Sequence, residues 1–156
     1  MLTRRFWPLS PRWAAVLLAV SWAASAQAGG SDPEVVLDEI YGQVDAMCGG
    51  DGQGPAYDIT AIAETYFTPD LAKTFEKAMA SDDFGFDILI DAQDCKTTDL
   101  GLEVVESDTD HAVGRARFKN MGEDRIIDLH MTKAGDEWKV SDVVYQHRPF
   151  SLKAAY

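Results

Sequence analysis

The stretch Phe84-Gly-Phe-Asp-Ile-Leu-Ile-Asp-Ala-Gln-Asp-Cys95 separates two parts of the chain that have different periodicities. Before it, apolar residues recur at the three- and four-residue spacing of helices; after it, they alternate with the period of two that is typical of strands. We call residues 84–95 the pivot segment. Helices first and strands afterwards predict an α+β domain, with N-terminal helices packed on a curved antiparallel sheet.

The pivot segment itself fits two structures. Phe84, Phe86, Ile88 and Ile90 alternate as they would in a strand, but Ile88-Leu-Ile90 could equally be a buried turn. The sequence leaves the choice between strand and helix open.

Three helices are predicted before the pivot segment. Ser31 as N-cap, Pro33 in the first turn and Glu34 as the capping-box acid predict that a helix follows, and the glycine-rich loop from Gly49 to Pro55 ends it. Its apolar stripe contains Val36, Leu37, Ile40, Tyr41, Val44, Met47 and Cys48. A second helix is predicted over 58–67. Thr68 and Pro69 then cap and open a third helix that extends to about residue 80, and its inner face consists of Leu71, Phe75, Ala78 and Met79.

Four strands are predicted after the pivot segment, because β-branched and aromatic residues alternate there with polar ones. They cover 102–106, 112–119, 125–133 and 138–145. The connections between them are too short for crossovers, so neighbouring strands must be antiparallel and form a meander.

The first 28 residues have the features of a secretory signal peptide. Arg4, Arg5 and Arg12 precede an apolar run that ends in Ala26-Gln-Ala28, a small-x-small cleavage site. We expect cleavage after Ala28, a periplasmic or secreted protein, and a single domain over 29–156. The arginine pair is compatible with both general and twin-arginine export. The apolar run is too short to span a bilayer, and no cysteine stands at the cleavage point, so neither a membrane span nor a lipid anchor is expected.

The chain is acidic, with 26 Asp and Glu against 14 Lys and Arg and a net charge of −12. Loss of residues 1–28 would make the charge −15, because that segment contains three arginines and no acid. Such a charge disfavours nucleic-acid phosphates and anionic membranes. It is compatible with a cationic partner or simply with high solubility. The sequence leaves a monomer or a homodimer equally open.

Cys48 and Cys95 are the two cysteines of the chain. An even count in an exported protein favours one disulfide, with two buried free thiols as the alternative.

The acidic side of the pivot segment is the first candidate site. We expect Asp87, Asp91, Gln93 and Asp94 to bind a ligand or partner, with Asp91 and Asp94 either capping backbone amides or meeting a partner's cation. Neither a cofactor nor a metal is expected. The glycine-centred acidic loop that calcium uses is missing, although Asp87, Asp91 and Asp94 stay open as a weaker metal hypothesis.

Asp128 and His130 are a second and weaker candidate. They share one face of a predicted strand, as Arg115 and Arg117 do on the preceding strand. If these faces coincide, arginine and aspartate pair across the strands on a solvated surface. The alternative places Asp128 and His130 in a pocket as an acid–base pair.

Several motifs in order resemble the nuclear transport factor 2-like superfamily. They are Tyr66-Phe-Thr-Pro-Asp-Leu71 and Glu137-Trp-Lys-Val-Ser-Asp-Val143. Phe86-Asp87, Asp91-Ala-Gln-Asp94 and Ser151-Leu-Lys153 further resemble an uncharacterised family of small exported bacterial domains (domain of unknown function 3828). The resemblance covers about residues 33–153. It implies a cone-shaped domain with a pocket floored by the sheet, but no activity, because that fold has isomerases, dehydratases and binding modules among its members.

Together these patterns favour a non-catalytic binding or accessory domain for an envelope protein or a small ligand, since no activated nucleophile or metal triad is visible. Whether it is an enzyme stays uncertain. The alternative is a small enzyme of isomerase, dehydratase or hydrolase type that uses the Asp128 and His130 pair, or Asp91, as acid–base residues.

Overall fold

The computed structural model describes residues 30–50, 54–82 and 84–156. The predicted signal peptide, residues 1–28, lies outside this part of the chain. Three helices come first, namely α1 (Pro33–Cys48), α2 (Ile59–Tyr66) and α3 (Pro69–Met79). The strands follow as β1 (Thr97–Ser107), β2 (His111–Asn120), β3 (Glu123–Ala134), β4 (Glu137–Tyr145) and the two-residue β5 (Phe150–Ser151), with a final turn of helix, α4 (Leu152–Ala155).

The five strands form one antiparallel sheet in the order β1-β2-β3-β4-β5. The predicted α+β class and the meander are therefore confirmed. All four predicted strands exist, and β1 begins five residues earlier than the alternation indicated. β5 and α4 were not predicted, because they are too short to show a period. Membership of the nuclear transport factor 2-like superfamily stays a prediction.

Helix α1 covers the inner face of the sheet with its apolar stripe. Leu37 and Tyr41 are fully buried there, and the facing strand β2 contributes Ala112, Ala116 and Phe118. Gly114 lies between these residues, and a Cβ on it would stand 3.2 Å from Leu37 Cδ1. Small side chains on β2 thus let the helix approach the sheet closely.

Local interactions set the ends of the helices. The N-cap of α1 is Asp32 rather than the predicted Ser31, because the Asp32 carboxylate accepts a hydrogen bond from Val35 N at 3.3 Å. Thr68 caps α3 as predicted, and its backbone amide donates to Val140 O on β4 at 2.8 Å. This last bond fixes the start of α3 against the sheet.

One predicted core residue of α3 is not buried. Leu71, Phe75 and Ala78 face the interior, but Met79 is 52% exposed. It is the last residue of the helix, which ends where the chain turns toward the pivot segment. No helix among the described residues combines the length and apolarity needed to cross a membrane.

The predicted disulfide between Cys48 and Cys95 is confirmed, with a Cα–Cα distance of 5.2 Å. It joins the last residue of α1 to the last residue of the pivot segment. A disulfide is compatible with export to an oxidising compartment.

Candidate functional site

The pivot segment is neither strand nor helix but a tight turn. Asp87 N donates to Ala92 O at 2.9 Å and Asp91 N donates to Asp87 O at 2.8 Å. The Asp87 carboxylate also accepts from Leu89 N at 2.7 Å, and an aspartate that bonds to the backbone two residues on stabilises a turn. Asp91 adopts a left-handed conformation with φ of 51°, which neither a strand nor a right-handed helix can continue.

This turn forms one wall of an apolar cleft with a volume of about 320 Å³. The other walls come from the start of α2 and the end of α3. The cleft is lined by Ile59, Phe75, Met79, Phe84, Gly85, Phe86, Asp87, Ile88 and Gln93. None of these described lining residues belongs to the sheet, whereas the family resemblance implied a pocket floored by the sheet. The volume lies at the lower end of the range of about 300–1,000 Å³ for ligand pockets.

Among the described residues that line the cleft, Asp87 is the single titratable one. Its carboxylate is half-buried and accepts from the Tyr57 hydroxyl as well as from Leu89 N. Burial raises the pKa of Asp87, and the hydrogen bonds from Tyr57 and Leu89 offset only part of this effect. Burial, together with the adjacent carboxylate, also raises the pKa of the Tyr57 hydroxyl. Tyr57 therefore stays a neutral donor over the physiological pH range.

Asp91, which was expected to cap backbone amides or to meet a partner's cation, instead contacts side chains of its own chain. Its carboxylate accepts from Arg148 Nε at 2.9 Å and from Arg148 Nη2, and it lies 2.8 Å from His147 Nε2. Arg125 Nε is 3.9 Å from the same carboxylate. Burial acts to raise the pKa of Asp91, but the hydrogen bonds from Arg148 and His147 outweigh it and hold the pKa below its usual range.

Arg148 connects this ion cluster to aromatic side chains. Its guanidinium carbon lies 4.8 Å from the ring centroid of Tyr145, 5.1 Å from that of Phe150 and 5.5 Å from that of Phe86. Phe86 thus belongs both to the lining of the cleft and to the surroundings of Arg148. Cations at such distances from aromatic faces are attracted by the ring quadrupole.

Gln93 and Asp94 are exposed, and they occupy different places. Gln93 lies at the cleft, where its Nε2 is 3.3 Å from the position of a Cβ on Gly85. Asp94 lies beside the disulfide, and its backbone carbonyl accepts from Asn120 Nδ2 at 3.1 Å. Of the four residues predicted for the pivot site, the structure therefore brings Asp87 and Gln93 together at the cleft.

No three acids of the pivot segment converge on a point. Across residues 30–50, 54–82 and 84–156, no group of three or more His, Cys, Asp or Glu side chains is placed to hold a metal.

Asp128 and His130 lie on the outer face of β3, as the alternation predicted. Asp128 pairs with Arg115 across the strands, confirming the predicted ion pair, with Nε–Oδ1 and Nη2–Oδ2 distances of 2.6 and 2.7 Å. Gln146 Nε2 donates to the same carboxylate at 2.8 Å. The predicted solvated surface is wrong for Asp128, which is only 2% exposed, whereas His130 is exposed to solvent. Both carboxylate oxygens of Asp128 are therefore engaged by Arg115 and Gln146.

Several residues of these sites were not predicted. Tyr57 follows a glycine-rich loop, and Arg148 lies in an irregular connection after β4, so neither has a periodic context. The cluster of Phe84 and Phe86 in a segment with three acids was the one signal that pointed to an amphipathic cleft.

No protein-family model matches the sequence, and no curated protein matches it. Among solved structures, the chain is similar to a phospholipid-binding protein from Ralstonia solanacearum, whose structure contains a phospholipid. The two are 22% identical, the alignment covers 80% of this chain and 72% of that chain, and the TM-score is 0.37. A likeness of this degree carries no conclusion about the ligand of this chain.

Proposed function

We propose that the protein is an exported, non-catalytic binding domain, and that the cleft beside the pivot segment holds a small ligand. The observation that carries the proposal is the composition of the cleft, in which an apolar surface surrounds one carboxylate residue, Asp87, and one amide side chain, Gln93. Ligand sites in proteins are typically concave and mostly apolar, with a few polar groups that orient the ligand.

The wall formed by the pivot segment is fixed at three points. The disulfide holds Cys95, the Tyr57 hydroxyl holds Asp87, and Arg148 with His147 holds Asp91. A preformed site binds more tightly than a mobile one, because less conformational freedom is lost on binding. These anchors therefore support a binding role.

The chemistry of the cleft supports binding more than catalysis. Its described lining contains one carboxylate but no histidine, cysteine, serine or lysine that could act as a second acid–base group or as a nucleophile. The alternative pair gains no support from the geometry, because Asp128 is engaged by Arg115 and Gln146 and His130 is exposed.

Two further parts of the proposal come from the sequence. Export with cleavage after Ala28 is supported by the signal-peptide pattern and is compatible with the disulfide. Measuring the mass of the mature protein tests this cleavage.

Membership of the nuclear transport factor 2-like superfamily is supported by the order of helices and meander. Comparing an experimental structure with members of that superfamily tests this membership.

The binding role is tested by native mass spectrometry. The mature, oxidised protein is incubated with a small-molecule extract of the envelope, and we expect a bound small molecule. Replacing Gly85 by leucine should abolish this adduct, because a side chain there projects toward Gln93 at the cleft. Gly101→Leu is the matched control, since a Cβ at Gly101 meets nothing within 4 Å.

Two results would contradict the proposal. One is the absence of any adduct, or an adduct that survives in Gly85→Leu protein that is folded by circular dichroism. The other is a metabolite of the extract that the protein consumes with time, which would show turnover and replace the binding role by a catalytic one.

A further inference from the structure

The geometry points to a small alkylammonium compound, an apolar group that ends in a protonated or quaternary amine, as the class of ligand that the cleft takes. This inference rests on the proposed function, because it identifies the chemistry of the same site. It comes from comparing the hydrogen-bond partners and counter-charges of the four aspartates that are withdrawn from solvent.

Four aspartates of the described chain, Asp87, Asp91, Asp128 and Asp142, are withdrawn from solvent to different degrees, and two of them have an arginine. Asp142 lies away from the cleft and accepts from three neutral donors, namely Ser151 Oγ and the amides of Val143 and Lys153. Asp128 pairs with Arg115, and Asp91 pairs with Arg148. The hydrogen-bond partners of Asp87 are the Tyr57 hydroxyl and the Leu89 amide, which are both neutral donors. A carboxylate withdrawn from water without a counter-charge is unfavourable, and a cation that enters the cleft would provide that charge.

The Asp87 carboxylate has room for another donor. Its two oxygens offer about four acceptor positions, and the hydrogen bonds from Tyr57 and Leu89 use two of them. An ammonium group can therefore bind without displacing either bond. Gln93 adds a neutral amide side chain at the cleft and no positive charge that would repel an ammonium group.

Three phenyl rings line the cleft, namely those of Phe75, Phe84 and Phe86. Phe84 lies between the other two, with ring centroids 6.0 Å from Phe75 and 5.1 Å from Phe86. Aromatic rings beside a carboxylate are the arrangement that recognises alkylammonium ions. Phe86 already contacts one cation, the guanidinium of Arg148 at 5.5 Å.

The charge of the whole chain acts in the same direction. A net charge of −12 raises the local concentration of cations and repels anionic ligands. The cleft and the surrounding field therefore favour the same sign of ligand.

The test compares three probes that share one alkyl chain: hexylammonium chloride, 1-hexanol and sodium hexanoate. Binding to the mature, oxidised protein is followed by NMR shifts of the Gly85 and Gln93 amides. We expect hexylammonium to bind at least tenfold more tightly than hexanol, and hexanoate to bind more weakly than either.

Asp87→Asn separates charge from shape. It should reduce the affinity for hexylammonium at least tenfold and leave the affinity for hexanol unchanged. Asp94→Asn is the control, because it removes the same charge from the exposed side of the pivot segment, and it should change neither affinity.

Phe84→Leu keeps the cleft apolar but removes the central ring. Its probe is hexyltrimethylammonium, which has the same alkyl chain but a quaternary amine. Phe84→Leu should weaken the binding of this probe more than that of hexanol, and it keeps the inference testable if Asp87→Asn fails to fold.

The possible results distinguish the inference from the proposed function. Equal binding of hexanol and hexylammonium at the cleft would overturn the ligand class and leave a binding site in place. No shift at Gly85 or Gln93 with any probe would overturn the ligand class and argue against the cleft as a site. Tighter binding of Nα-acetyl-lysine amide than of hexylammonium would assign the site to a side chain of a protein partner and overturn the small-molecule ligand.

Discussion

Replacing Asp91 by asparagine should destabilise the protein without distorting the turn in which it lies. The Asp91 side chain is 8% exposed and is surrounded by Arg148 and His147. Its φ of 51° is in the left-handed region, where asparagine and aspartate are both enriched among non-glycine residues. The substitution therefore removes the charge while it keeps the size of the side chain and the backbone conformation.

The expected loss follows from the contacts of the carboxylate. Removing one member of a buried ion pair costs about 3–5 kcal/mol, and hydrogen bonds to charged groups contribute about 1.5–3 kcal/mol each. The Arg148 side chain is 42% exposed, so it can recover much of its hydration and stay over the Tyr145 ring. We therefore expect the free energy of unfolding to fall by about 2 kcal/mol, at the lower end of these ranges.

Urea unfolding at neutral pH and in acid measures this loss. The folded state holds the pKa of Asp91 below its ordinary value of 3.8, so its contribution to stability is present above that value and is lost as the pH falls through the folded-state pKa. The stability difference between the wild type and Asp91→Asn should therefore close below about pH 4. Asp94→Asn, at an exposed position of the same segment, should stay within about 0.5 kcal/mol of the wild type.

Two outcomes would refute this reasoning. A loss below about 0.5 kcal/mol at neutral pH would show that the ion cluster is a surface pair with no net contribution. A loss of about 2 kcal/mol that persisted unchanged in acid would show that packing, rather than charge, is responsible.

Three other changes have expected effects on unfolding in urea or on thiol content. The disulfide between Cys48 and Cys95 should leave no free thiol under denaturing, non-reducing conditions, and two titratable thiols would contradict the pairing. Replacing both cysteines by alanine should lower the free energy of unfolding by about 4 kcal/mol, the chain-entropy value for a loop of this length. Gly114→Ala should cost about 1–3 kcal/mol because its Cβ would stand 2.8 Å from a core methyl group, while Gly101→Ala has open space and serves as the control; equal effects would refute the close packing. Asp128→Asn should lower the free energy of unfolding by about 2 kcal/mol, because Arg115 loses its counter-charge, and ligand binding in the cleft should not change. If the variant instead lost a measurable turnover while its fold stayed intact, the enzyme alternative would be supported.

The helices and the sheet were predictable because their signals are local and repeated. Every buried residue of α1 from Val36 to Cys48 belongs to the stripe that the sequence shows, and the alternation of β2 and β3 assigns Arg115 and Asp128 to the same face. A period over ten or more residues averages out single exceptions such as Met79. The disulfide was predictable for a different reason, because two cysteines allow one intramolecular pairing.

The pivot segment was not predictable because distant partners determine its conformation. Asp87 bonds to Tyr57 at a separation of 30 residues, and Asp91 bonds to Arg148 at a separation of 57. Alternating Phe84, Phe86, Ile88 and Ile90 therefore gave a strand pattern for a turn. The sequence identified the acids that surround this turn, but not which of them would meet cations within the chain.

Asp87 and Asp91 lie four residues apart in one turn, yet their replacement by asparagine should act on stability in different ways. Asp91 is compensated by Arg148, so losing its charge leaves that guanidinium without its carboxylate. Asp87 is half-buried against neutral donors, so losing its charge removes an unfavourable desolvation, and an asparagine there can accept from Leu89 N while its amide donates to the Tyr57 oxygen. Urea unfolding of Asp87→Asn should therefore show a stability within about 0.5 kcal/mol of the wild type or above it, as expected when a binding site is maintained at some cost to the fold. A loss of 2 kcal/mol or more, similar to that expected for Asp91→Asn, would instead mean that the negative charge of Asp87 is already compensated in the folded chain, and the case for a ligand cation beside it would fail.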